Sequence, residues 1–108
     1  MLGTMTKVAA TTYSEMPFRT GVAVQIGKES IALFKLTNGE VWAIENRSPH
    51  PKGGVLTEGL ISGEYVFCPV YDWKISLRDG KVQAPDKGQA KTYPVSVEED
   101  TVYILIEK

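Results

Sequence analysis

The chain has 108 residues and a mass of 11.9 kDa, enough for a single domain and too little for two independent ones. Hydrophobic residues make up 43% and charged residues 23%, an ordinary globular balance. Twelve Lys and Arg stand against thirteen Asp and Glu, for a formal net charge of −1. Such a balance provides no basic face to release counterions from nucleic acid or to hold an anionic membrane surface, so neither is expected as a partner.

The longest unbroken apolar run, Val102 to Ile106, is five residues, against roughly 20 for a membrane-spanning helix. The first ten residues show no charged stretch followed by an apolar one, so no secretory leader is expected. A single cysteine, Cys68, excludes an internal disulfide and suits a reducing compartment, which points to the cytoplasm. With one cysteine and one histidine, a structural zinc site of four Cys or His ligands is also excluded. A Ser–His–Asp or Cys–His relay stays open only through His50.

In chain order, a lead strand is predicted around Lys7 to Thr12, then an irregular stretch, Tyr13 to Thr20, in which Pro17 restrains Met16 from helix. Val22, Val24 and Ile26 alternate at the strand period. Gly27-Lys28-Glu29 turns the chain into Ser30 to Leu36. Thr37-Asn38-Gly39-Glu40 predicts a hairpin of type I′, and Val41 to Glu45 is the returning strand. At the other end, Tyr93 to Val97 and Thr101 to Ile106 flank the acidic turn Glu98-Glu99-Asp100. No window shows sustained helical spacing, so the chain is all-β, with the short strands of a sandwich or small barrel.

The stretch from about Asn46 to Gly80 differs from both flanks in its density of Pro and Gly. Two loops, Ser48 to Gly54 and Cys68 to Trp73, are joined by strand-like Leu60-Ile61 and Glu64 to Phe67, and Arg78-Asp79-Gly80-Lys81 is another turn. Specialised loops on a rigid β scaffold are where function usually sits. Trp42, Trp73, Tyr65 and Phe67 are assigned to packing, because the neutral charge gives no platform for bases. Lys52-Gly53-Gly54 lacks the strand–loop–helix context of a phosphate cradle and is assigned to a turn. Cys68, after Tyr65-Val66-Phe67, is expected to be a buried, inert thiol.

Ser48-Pro49-His50, then Lys52-Gly53-Gly54, Leu56 and Gly59, then Cys68-Pro69-Val70-Tyr71 and Asp79-Gly80 resemble the cluster-binding segment of Rieske ferredoxin domains. In that family the pattern is Cys-Pro-His, a basic-Gly-Gly turn, and later Cys-Pro-x-His. The resemblance is close over residues 46 to 82 and extends loosely over nearly the whole chain. It implies an all-β, Rieske-like antiparallel β-sandwich forming one domain, residues 1–108. The base sandwich would occupy about 5–45 and 81–108, and an inserted two-loop subdomain about 46–80.

A Rieske [2Fe–2S] centre takes two thiolates on one iron and two imidazoles on the other. Carried onto this chain, the four ligand positions fall on Ser48, His50, Cys68 and Tyr71, so each loop has lost one ligand, and Pro51 is an extra residue in the first. Hydroxyl groups are poor substitutes for soft thiolate. The expectation is a Rieske fold with no metal and no cofactor of its own and no catalytic residue. In it, Ser48 would hydrogen-bond to loop amides and Tyr71 would fill the space between the loops. His50 is then an exposed loop residue left from a ligand ancestor, or a partner contact.

Free-standing, cluster-less Rieske domains of this size resemble the small-subunit family of assimilatory NAD(P)H-dependent nitrite reductases, the NirD type. The resemblance implies a partner, the large catalytic subunit carrying FAD, an iron–sulfur cluster and sirohaem, which reduces nitrite to ammonium. Pro49, His50, Tyr71, Asp72 and Trp73 would form the contact tip. Two other classes fit the same residues: a Rieske [2Fe–2S] ferredoxin serving an oxygenase, and a free-standing binding module. Iron and acid-labile sulfide in the isolated chain distinguish the ferredoxin.

Overall fold

The computed structural model describes residues 5–50, 53–69 and 72–107. These residues build ten strands: β1 Met5–Thr12, β2 Gly21–Ile26, β3 Glu29–Lys35, β4 Val41–Glu45, β5 Leu60–Ser62, β6 Tyr65–Phe67, β7 Lys74–Ser76, β8 Thr92–Tyr93, β9 Val95–Glu98 and β10 Thr101–Glu107. They form three sheets with the orders β1-β10-β9, β2-β3-β4-β8 and β5-β6-β7. Every strand pairing within them is antiparallel. The all-β architecture anticipated from the sequence is the observed one.

The run Ile31-Ala32-Leu33-Phe34 explains the layering. An antiparallel strand with one wet face alternates apolar and polar, whereas an unbroken apolar run marks burial on both faces. Ile31 and Leu33 pack with Met16, Ala43, Tyr93, Val102 and Ile104 toward the β1-β10-β9 sheet. Ala32 and Phe34 join Ile44, Leu56, Val66, Cys68, Ile75 and Leu77 on the other side. The sheet containing β3 is therefore the middle layer. It separates the base core from a second core beneath β5, β6 and β7.

Lys35 closes β3 and is only 5% exposed. Its Nζ donates to the Tyr13 carbonyl at 3.1 Å and lies 3.9 Å from the centre of the Tyr13 ring and 4.5 Å from that of Phe18. A buried ammonium needs such partners. They fix the irregular stretch after β1, which includes a 3₁₀ turn, Tyr13–Glu15.

Three local expectations are corrected. At the Thr37–Glu40 hairpin φ is positive at Gly39 alone (φ 90°). The Gly39 N–H donates to the Leu36 carbonyl and the Leu36 N–H to the Glu40 carbonyl, both at 2.8 Å. This is a type I turn followed by a left-handed glycine, not type I′, and the Asn38 carboxamide oxygen stabilises it by accepting the Glu40 N–H. Positive φ at two central residues occurs instead at Glu99 (50°) and Asp100 (70°). There the Asp100 carboxylate accepts both the N–H and the hydroxyl of Ser14.

The strand expected over Tyr93 to Val97 is two strands. Pro94 has no N–H for a ladder, so pairing breaks there. Tyr93 pairs with Ala43 in the middle sheet, and Val95 pairs with Ile104 in the outer one. One proline thus moves the chain from layer to layer. The third is β7, whose three residues follow the second loop directly, where the sequence reading placed no strand.

Candidate functional site

The two loops leave the middle sheet and the small sheet side by side. The first begins beyond β4, where the Asn46 N–H donates to the Ser30 carbonyl and the Asn46 carboxamide oxygen accepts the Thr57 N–H. Ser48 is buried, 2% exposed. Its N–H donates to the Gly54 carbonyl at 2.9 Å, and its Oγ accepts the His50 N–H at 3.1 Å. The Gly53 N–H donates to the His50 carbonyl at 2.8 Å. These bonds bring residues 48–50 and 53–54 together around the Ser48 hydroxyl, as turn chemistry predicts.

The second loop is closed by the Cys68 N–H, which donates to the Trp73 carbonyl at 2.8 Å. Cys68 is fully buried in the second core, in line with an inert structural thiol. Its Sγ lies 3.9 Å from the Gly53 carbonyl oxygen, within reach of a weak S–H donor. The His50 and Trp73 rings meet edge to face, centres 4.5 Å apart and planes at 69°. Among the described residues, a ring contact and a sulfur contact thus tie the loops together.

His50 is half-buried, which corrects the picture of an exposed loop remnant. Trp73 and Trp42 pack against the second core, as their assignment to packing requires. Pro49 is half-buried, and Gly88 lies so close that a side chain there would touch its ring. A third segment, after β7, thus supports the loops, and no sequence signal marked it. Asp72 is exposed and held at φ 51°. Tyr71, expected between the loops, lies outside the described residues, as do Pro51, Lys52 and Val70.

Arg78 binds Glu64 through two bonds of 2.7 Å, which holds the Glu64 carboxyl below the usual carboxylate range and raises the Arg78 guanidinium. Among the described residues, no three His, Cys, Asp or Glu side chains gather where a metal ion would sit.

Comparison with known proteins places the whole arrangement. The model of the Rieske-like [2Fe–2S] domain matches residues 6–105, and the chain belongs to that family. It is 32% identical over 93 residues to the nitrite reductase [NAD(P)H] large subunit of Klebsiella oxytoca, covering 82% of this chain and only 10% of that subunit. It is 30% identical over 105 residues to the 3-phenylpropionate/cinnamic acid dioxygenase ferredoxin subunit of Photorhabdus laumondii, covering 96% of this chain and 98% of that one. Among solved structures, one provisionally named a nitrite reductase NADPH small subunit superposes with a TM-score of 0.81 at 30% identity. It covers 94% of this chain and 99% of that one.

The family's [2Fe–2S] group can be tested against the donors present. Where the family places its first thiolate, Ser48 offers a hydroxyl that already accepts a loop amide. Where it places its second imidazole, the sequence has Tyr71. One thiolate and one imidazole remain, and the imidazole is engaged against an indole. This donor set does not fit a cluster that needs two of each.

Proposed function

We propose that this chain is a small, non-redox Rieske-like subunit of a cytoplasmic NAD(P)H-dependent nitrite reductase in nitrate assimilation. It docks on the catalytic subunit, which carries FAD, an iron–sulfur cluster and sirohaem, and supports that subunit's assembly or activity without carrying electrons. The observation behind this reading is the Ser48 hydroxyl, buried at a ligand position and committed to the first loop's own amide. Likeness to nitrite reductase proteins in both sequence and structure supports the choice of partner.

The tip of the two loops is the contact surface in this reading, with Pro49, His50, Tyr71, Asp72 and Trp73 as the contributing residues. The test is purification from native cells with iron and acid-labile sulfide measured on the isolated chain. A colourless chain that co-purifies with a sirohaem reductase supports the reading. A brown chain with stoichiometric iron and sulfide overturns it in favour of an electron carrier like the dioxygenase ferredoxins, which match over nearly the whole chain.

A further inference from the structure

The outer face of the β5-β6-β7 sheet brings apolar, aromatic and basic side chains together. Ile61, Val66 and Ile75 point into the second core. By the two-residue period, their neighbours point outward. Leu60, Phe67 and Lys74 lie across from one another in one row; Ser62 and Tyr65 lie in the next, which ends on the buried Ser76. Val82 bridges to Ile75, which carries exposed Lys81 to the same outer side.

Leu60 is 77% exposed, the most exposed large hydrophobic side chain among the described residues. A lone exposed leucine needs no explanation. This one stands beside the half-buried Phe67, with Tyr65 a row away and the Lys74 Nζ 4.3 Å from the Tyr65 ring centre. The face thus has an apolar anchor, two aromatic rings and two lysines. None of its six strand positions carries a carboxylate, although the chain as a whole is negative. Lys74 is held over a ring, so the cation is positioned before a partner arrives. The row ending at Phe67 and Lys74 leads directly into the second loop.

The geometry points to this face as a docking surface for a protein patch of one chemistry: an apolar pocket that receives Leu60, rimmed by carboxylates that face Lys74 and Lys81. This extends the contact surface beyond the loop tip and rests on the reading of the chain as a reductase subunit. Apolar burial supplies affinity at the centre, and the lysines supply orientation and speed of encounter.

The test is binding of the purified chain to the purified nitrite reductase catalytic subunit from the same cells, at low and high salt. Leu60→Ala should weaken binding by about tenfold, as truncation of a central anchor does. Lys74→Glu with Lys81→Glu should slow association and reverse its salt dependence, because salt then screens a repulsion. All three positions are exposed, and unchanged thermal unfolding confirms that each variant is folded. Wild-type binding with every face variant unaffected overturns this proposal and leaves the functional reading standing. No binding by the wild-type chain overturns both.

Discussion

The His50 imidazole meets the Trp73 indole edge-on at 4.5 Å, and this is the one ring contact seen between the two loops among the described residues. In a cluster-bearing domain, metal bonds would hold this pair of loops together. Here a contact worth about 0.5–1.5 kcal/mol stands in that place. Trp73→Ala should cost about 2 kcal/mol, because the indole also packs on the second core, and His50→Ala about 1 kcal/mol. Urea unfolding of both single variants and the double variant should show positive coupling. Strict additivity would mean that the rings touch without stabilising one another.

The turn at Glu99 and Asp100 holds two non-glycine residues at positive φ. Asp100 is anchored by Ser14, but the Glu99 side chain is exposed. A left-handed residue other than Gly or Asn costs about 1–2 kcal/mol. Glu99→Asn should therefore raise stability by roughly 0.5–1 kcal/mol, seen as a higher urea midpoint with an unchanged slope. A lower midpoint would show that Glu99 makes a contact worth more than its strain.

Gly80 ends the turn after β7 at φ 77°, and a Cβ there would be driven into the Ala90 carbonyl. That carbonyl belongs to a segment whose N–H donates back to Gly80. Gly80→Ala should cost about 3 kcal/mol or more, combining backbone strain with displacement of this segment. A thermal melt within a degree or two of the parent would show that the turn relaxes freely.

Tyr93 gives a pH dependence of known sign. Burial, reinforced by donation to the Glu29 carboxylate at 3.1 Å, pushes the phenol from its ordinary 10 up to about 12. Below the ordinary value both folded and unfolded chains hold the proton, and the stabilisation is complete. As pH rises toward about 12, the unfolded chain releases the proton first, so stability falls across that window. In Tyr93→Phe this component should vanish. Urea midpoints that fall equally in both proteins would place the alkaline loss elsewhere.

Legibility of the fold in the sequence followed the range of the forces involved. β2 was readable from alternation, and β3 and β4 from the turns that bound them, because neighbouring residues decide them. The division at Pro94 was not, since the residue signals a break without saying that the two halves join different sheets. Type I′ geometry was expected at Asn38-Gly39, where the side chains favour it, and occurs at Glu99-Asp100, where Ser14 helps to hold the backbone. At the site, the Ser48 turn was legible because its bonds are local. The His50–Trp73 contact and the support from Gly88 were not, because residues distant in sequence meet there only once three sheets are stacked.

β1 and β10 run side by side, with Met5 opposite Glu107. The described backbone therefore begins and ends on neighbouring strands of a single sheet, and the loops are carried by strands in between. Such an arrangement lets a domain be spliced into a longer polypeptide like a bead on a thread, with no internal pairing disturbed. The Klebsiella protein, of which the match spans a tenth, has a segment similar to this chain within a much longer polypeptide.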